Sequence, residues 1–192
     1  MSPRTKDQLQ QLRENKKQQI LEAALKVFAS HGYDGATISM IAKEAGMAKG
    51  LMYSYYESKE KLVVELIRFG MQKAASHMEE KAVRQLTNKK AFEESLRLLI
   101  GLFLKEADFW RLYALLILQP NLAPQFRKEA LAFMEQYFGI YMAYFQKKKS
   151  KNPMAEALLF GTIIDGLMVD LLVAPDLYPL DDIINMIVEK FG

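Results

Sequence analysis

Residues 37–62 read TISMIAKEAGMAKGLMYSYYESKEKL, and this stretch decides the fold. Thr37 is a good N-cap for a short helix whose apolar positions Ile38, Ile41, Ala42 and Ala45 recur at three- and four-residue spacing. Gly46 ends that helix where a left-handed residue is needed, a conformation glycine takes without steric cost. Ala42, four positions earlier, is small enough for a second helix to cross closely. The second helix is predicted to start near Ala48 and to turn Ala48, Met52 and Tyr56 inward at i, i+4 spacing. Lys49, Gly50, Leu51, Tyr53, Ser54 and Tyr55 are left for its outer side. Two short helices joined by a tight glycine turn, with a polar and aromatic outer face, imply a DNA-reading helix-turn-helix.

Around this stretch the chain reads as helices throughout, with no sustained alternation and no hairpin turn between β-branched runs. Thr5-Lys6-Asp7-Gln8 has the spacing of a capping box, so a first helix is predicted to begin there. Its core stripe is Ile20, Ala23, Ala24, Val27 and Phe28, ending at His31-Gly32. Ser58 is predicted to cap a long fourth helix carrying Leu62, Val63, Leu66, Ile67, Phe69 and Met71, with Glu60 at the positive end of its dipole. A polar patch, Arg84 to Lys90, precedes a second block with helices predicted near 90–105, 107–118, 124–148, 153–173 and 180–191. Pro120, Pro124, Pro153 and Pro175 punctuate that block. The lysine run 147–151 reads as a solvated turn before Pro153.

Bulk composition excludes several classes. The 192 residues are 51% apolar and 26% charged, an ordinary globular balance able to bury a substantial core. Net charge is +3, with a modest basic leading arm of Arg4, Lys6, Arg13, Lys16 and Lys17 against Asp7 and Glu14. No cysteine is present, so disulfides and thiolate metal sites are excluded, and neither cofactor nor metal is expected. The leading residues lack the apolar core of a secretory signal. The greasiest stretch, Leu158 to Pro175, contains Asp165 and Asp170 and is too short to span a bilayer. A soluble, cytoplasmic protein is expected. Two histidines and no phosphate-cradling glycine loop offer no reactive constellation, so no enzyme is expected.

Residues 20–62, ILEAALKVFASHGYDGATISMIAKEAGMAKGLMYSYYESKEKL, resemble the DNA-binding domain of TetR-family transcriptional repressors. The likeness rests on the Ile20-x-x-Ala-Ala-x-x-x-Phe28 helix, the Gly32-Tyr33 turn, the Thr37 cap, Ile41-Ala42-x-x-Ala45-Gly46, Lys49-Gly50-x-x-Tyr53-x-Tyr55-Tyr56 and Ser58-Lys59-Glu60-x-Leu62. Tyr56 stands where the family usually has Phe, and Lys61 replaces a common acidic residue after Ser58. The resemblance implies an all-α fold with a three-helix DNA-binding domain over residues 1–62. It implies a C-terminal bundle over 63–192 that binds a small molecule and forms a homodimer through the last two long helices. Asp165-Gly166-Leu167 is similar to the family's penultimate helix, which gives Asp165 a structural role; a buried carboxylate holding a cationic ligand is the alternative.

Each candidate residue has two readings. Lys49 contacts DNA or is a solvated lysine; Gly50 lets the backbone approach the duplex or is a tolerated helix glycine; Leu51 meets a thymine methyl or packs at the helix edge. Tyr53, Ser54 and Tyr55 offer hydroxyls to phosphates, and Tyr53 matches the family's phosphate-contacting tyrosine. Thr37, Ser39 and Lys59 are further phosphate candidates, Thr37 serving alternatively as a cap alone. Trp110, Tyr113, Met134, Tyr137, Tyr141 and Phe160 are candidates for a ligand cavity or for simple core packing. Ala157, Phe160, Gly161 and Ile164 are candidates for the dimer interface. The function expected is a repressor that leaves double-stranded, palindromic operator DNA when a small hydrophobic effector binds. The alternative is an effector-free or architectural DNA-binding protein controlled by protein contacts.

Overall fold

Thr5 opens the first helix through the reciprocal cap its spacing predicts: its hydroxyl accepts from Gln8 N–H at 3.3 Å, and Gln8 Oε1 accepts from Thr5 N–H at 3.0 Å. The computed structural model describes residues 5–79 and 85–192, the side chains of Ala123, Gln125, Met134 and Gln136 excepted, and every regular element among them is helical. The elements are α1 (Lys6–Gly35), α2 (Ile38–Glu44), α3 (Lys49–Met52), α4 (Lys59–Met78), α5 (Lys89–Lys105), α6 (Ala107–Ile117), α7 (Ala123–Lys147), α8 (Pro153–Val173) and α9 (Leu180–Phe191). Single 3₁₀ turns lie at Pro120–Leu122 and Pro175–Leu177. The predicted helices of the second block thus stand within one or two residues of their expected ends. Arg84, the start of the expected polar patch, lies outside the described residues; at its other end Asn88 caps α5 by accepting from Ala91 N–H at 3.0 Å. Among the described residues no helix is long and apolar enough to cross a membrane.

The chain divides into two compact units. The first contains the leading helices to Gly70 and, from much later in the chain, Leu115–Phe126. Its core is built by Ile20, Leu25 and Phe28 of α1, Ile41 of α2, Met52 of α3 and Leu62, Leu66 and Ile67 of α4, all nearly inaccessible. Gly32 breaks α1 with φ +68°, so Tyr33 loses the helical acceptor four residues back. Gln119 replaces it: its Oε1 accepts from Tyr33 N–H at 2.7 Å, and its Nε2 donates to the Phe28 and Leu115 carbonyls at 3.4 Å each. Asn121 adds a donor to the Asp34 carboxylate. Residues 63–70 and 115–126 therefore pack with the leading helices, although both lie within the 63–192 span that the resemblance assigns to the C-terminal bundle.

The second unit contains Met71–Ala114 and Arg127–Gly192. Its centre is aromatic. Phe160 of α8 lies 5.2 Å from Phe92, 4.8 Å from Tyr141 and 5.6 Å from Phe191, ring centre to ring centre. Leu96, Ile100, Phe145, Leu171 and Val188 close around these rings. In the lysine run expected to be wholly solvated, Lys148 instead donates to the Phe191 carbonyl at 3.1 Å and to that of Gly192, capping the negative end of α9.

Gln119→Ala removes an acceptor from a partly buried N–H. We expect it to lower the free energy of unfolding in urea by about 1 kcal/mol, and Gln119→Glu, which keeps the acceptor for Tyr33 but sets a carboxylate oxygen against the Phe28 and Leu115 carbonyls, should not restore the loss.

Candidate nucleic-acid interface

The turn between α2 and α3 is built as its glycine requires. Gly46 sits at φ +62°. Its N–H donates to the Lys43 carbonyl at 3.1 Å and Met47 N–H donates to Ala42 at 2.9 Å, the paired bonds of a Schellman ending. Thr37 caps the start of α2, its Oγ1 accepting from Met40 N–H at 3.2 Å. The α3 helix has only four residues and then continues as open turns, Tyr56 N–H still donating to Met52 at 3.0 Å. Met52 and Tyr56 point inward as expected. Ala48 does not: it is the extended residue before the helix, with ψ 139°, and is exposed. Burial, helped by the charges of Glu65 and Glu14, pushes the Tyr56 hydroxyl up to about 12.

The outward face is continuous. Lys49, Gly50, Leu51, Tyr53 and Ser54 are exposed, Leu51 at 48% and Tyr53 at 49%. Leaving a leucine and a tyrosine half in water wastes apolar area that burial would stabilise by roughly 25 cal/mol per Å². Such residues are informative when clustered on one short element. Ser54 donates to the Leu51 carbonyl at 2.7 Å, which leaves its oxygen facing out as an acceptor. Tyr55 is half-buried, with the Arg13 guanidinium 5.9 Å from its ring centre.

The starts of α2 and α4 are brought together by Lys59. Its ammonium donates to the carbonyls of Tyr33 at 2.8 Å and Ala36 at 3.1 Å and lies 4.5 Å from the Tyr33 ring centre. Thr37 and Ser39 follow directly on that anchored backbone and are exposed. Lys59 therefore has a structural task beside any contact with phosphate. Ser58 caps α4, accepting from Lys61 N–H at 3.2 Å. Glu60 takes part in this helix start in place of the acidic residue missing at Lys61. Its own backbone N–H and then the Ser58 hydroxyl hold its carboxyl below the ordinary range, with Tyr33 and Lys59 adding to the effect. Arg13 was legible only as part of a basic arm; the ring it covers is 42 residues away in sequence.

The candidate cavity residues fall into separate groups. Trp110 and Tyr113 meet edge to face at 5.8 Å, Tyr141 packs on Phe160, and Tyr137 packs on Phe133 at 4.9 Å while its hydroxyl donates to Glu79 at 3.1 Å. Burial raises the Tyr113 and Tyr141 hydroxyls well above the usual tyrosine range. The Met134 side chain lies outside the described residues. Of the residues expected at a dimer interface, Ala157 and Phe160 are buried within their own chain at 2% exposure each, while Gly161 and Ile164 are half-buried. The outward side of α8 is instead Leu158, Leu159, Gly166, Val169 and Val173. Because α8 is apolar on all sides, its sequence carries no phase to tell the inner side from the outer.

An exposed face on the second of two short helices, set by a glycine turn and backed by a buried core, is the arrangement of a helix-turn-helix. Residues 20–66 match the family model for bacterial regulatory proteins of the tetR family. Residues 20–66 thus resemble the DNA-binding segment of that family. It is 37% identical over 83 residues to the fatty acid metabolism regulator protein of Bacillus subtilis strain 168, covering 43% of this chain and 41% of that protein. It is 41% identical over 54 residues to the HTH-type transcriptional repressor AcnR of Corynebacterium efficiens, covering 28% of this chain and 29% of AcnR. The chain thus spans less than half the length of these curated relatives in the matched regions. The crystal structure of the transcriptional regulator FadR from Bacillus subtilis in complex with stearoyl-CoA superimposes with a TM-score of 0.69 at 24% identity, covering 90% of this chain and 95% of that one. This likeness extends the shared fold through the C-terminal helices.

A methyl group added at Gly50 would meet nothing within 4 Å in the free protein. Gly50→Ala should therefore stabilise the chain by about 0.5–1 kcal/mol through helix propensity, read by thermal unfolding. Fluorescence anisotropy on duplex DNA should show weaker binding for the same variant. A more stable protein with unaltered affinity would mean that the backbone at Gly50 stands off the duplex.

Proposed function

We propose that this protein is a ligand-responsive transcriptional repressor, a homodimer that binds a palindromic double-stranded operator and leaves it when a small, largely hydrophobic effector enters its C-terminal unit. Residues 1–62 would read DNA and residues 63–192 would take the effector and dimerise. The observation that carries this reading is the outward face of α3, Lys49 to Ser54, exposed on a family-matched helix-turn-helix. In this reading Tyr53, Tyr55, Thr37, Ser39 and Lys59 hold phosphates and fix register, Ser54 joining them once its hydroxyl turns from the Leu51 carbonyl to the duplex, while Lys49 and Leu51 face base edges. Two half-sites one helical turn apart, about 34–36 Å, are the geometry such dimers require. Effector binding would favour a spacing of the two α3 helices that no longer fits successive major grooves. Repression is supported by the name of AcnR, and an apolar effector by the stearoyl-CoA bound to FadR. Action on chromosomal DNA implies a cytoplasmic protein.

The dimer reading draws support from the outer side of α8. Leu159, Gly166, Val169 and Val173 recur at spacings of seven, three and four residues, the repeat of a helix-packing seam, and Val173 is 79% exposed. An added Cβ at Gly166 would meet nothing within 4 Å, so a second helix can approach there. Asp165 lies beside this seam, and partial burial of its carboxyl raises it above the ordinary carboxylate range.

Tyr53→Phe should weaken binding to all duplexes while a binding-site selection returns an unaltered consensus; a new consensus would overturn its role as a positioning contact. Lys49→Ala should lower affinity, and if Lys49 touches a phosphate the salt slope should fall by about one unit. Lys59→Ala also removes the bonds to Tyr33 and Ala36, so its effect on stability must be measured alongside. For assembly, Val169→Asp should yield folded monomers in sedimentation at micromolar concentration, whereas Phe160→Asp should fail to fold. A wild-type chain that stays monomeric, or a Val169→Asp variant that stays dimeric, would reject this face.

A further inference from the structure

Within the second unit, Glu106 and Trp110 stand one helical turn apart, the Trp110 backbone N–H donating to the Glu106 carbonyl at 3.1 Å, so their side chains share one face. Glu106 Oε1 is taken by the Lys73 ammonium at 2.6 Å. Its other oxygen, Oε2, is buried 3.4 Å from His77 Nε2 and has no hydrogen-bond partner among the described residues. The Trp110 indole N–H is likewise buried without an acceptor among them, on a side chain more than nine-tenths covered. His77 adjoins both groups, its ring centre 6.1 Å from the indole. Native structures rarely leave polar atoms of this kind unsatisfied, and here a donor and an acceptor on one helix face are both left so.

The polarity of the pair specifies what would satisfy it. An indole N–H can only donate, and a carboxylate oxygen can only accept. A ligand carboxylate would suit Trp110 but oppose the charge of Glu106. A ligand ammonium would suit Glu106 but meet the indole hydrogen and the Lys73 ammonium beside it. A hydroxyl or a primary carboxamide accepts from one and donates to the other. It also stays neutral where Lys73 already balances Glu106. Phe103 stacks on the indole at 5.5 Å, and Phe109 meets it edge-on at 5.0 Å, giving the site apolar walls.

We propose that Glu106 and Trp110 form a binding site for the hydroxyl or carboxamide group of a neutral, otherwise apolar molecule, whose hydrocarbon part packs against Phe103 and Phe109. As the head-group site of the effector it rests on the regulatory reading above; as a binding site it stands alone.

The test uses the full chain and four probes on one eight-carbon skeleton: octan-1-ol, octanamide, octanoate and octylammonium. In calorimetry the alcohol and the amide should bind about tenfold more tightly than either charged probe, the ratio that one buried hydrogen bond carries. Trp110→Phe, which removes the N–H and keeps an aromatic ring, should erase most of that preference. If this variant does not fold, the head-group series on the unaltered chain decides alone. Equal binding of all four probes, a preference that survives Trp110→Phe, or no binding by any probe at millimolar concentration would overturn the site. DNA release is read separately by anisotropy. Octanamide that binds without releasing DNA keeps the site and removes its regulatory role. Release by compounds indifferent to Trp110→Phe keeps the regulator and removes this site.

Discussion

The α3 helix cannot hold itself. Four residues are far below the length at which a helix persists in water, and Ala48 gives it no side-chain cap. Its conformation is imposed from below by Met52 and Tyr56, which are buried against the first unit's core, and from the front by the left-handed Gly46 turn. Every exposed side chain on the reading face takes its direction from those three residues. The face is therefore rigid only as far as the core beneath it is rigid. A helix of this kind can present Leu51 and Tyr53 to solvent because its stability does not depend on burying them.

That core is closed from two sides by local devices answering backbone breaks. Gly32 interrupts α1, freeing the Tyr33 N–H for Gln119 and turning the Tyr33 carbonyl and ring toward Lys59. Tyr33 also donates through its hydroxyl to Glu60 at 3.3 Å, and burial together with the Glu60 charge raises that hydroxyl above its ordinary range. One residue thus joins the end of α1, the start of α4 and the segment 115–126. The ammonium of Lys59, spent on two carbonyls, fixes where Thr37 and Ser39 begin α2. Capping, a cation over a ring and one amide side chain together set the relative placement of the two helix starts from which phosphate contacts are proposed.

Much of this was legible from residue order. The caps at Thr5, Thr37 and Ser58, the glycine at 46 and the apolar spacing of α1, α2 and α4 are local signals, and local signals survive in a single sequence. The reading face followed from them, because once Met52 and Tyr56 point inward the remaining residues of α3 must point out. Ala48 was misassigned for a physical reason: the residue before a helix has extended dihedrals and does not share the helix's phase. Gln119 and Arg13 escaped altogether. Each acts on a residue far away in sequence, and nothing in Gln-Pro-Asn or in a basic arm records the partner.

The second unit was legible in its helices and hardly at all in its surfaces. The α8 helix is apolar on every side, so its periodicity is flat, and Phe160, read as cavity wall, interface or core packing, is the hub of an aromatic core with Phe92, Tyr141 and Phe191. Phase in such a helix is set by what neighbouring helices leave uncovered, which is a tertiary property. The polar atoms behave in the opposite way. Composition gives no reason to single out Glu106 among the carboxylates, and Trp110 stood out only as a candidate for a cavity wall or for core packing. Burial makes them distinctive, because desolvation costs a lone donor or acceptor about 1–3 kcal/mol whatever sequence surrounds it. In a unit built from aromatic rings, that cost concentrates chemical information in the few polar atoms that packing does not satisfy, and the Glu106 carboxylate and the Trp110 indole hold it here.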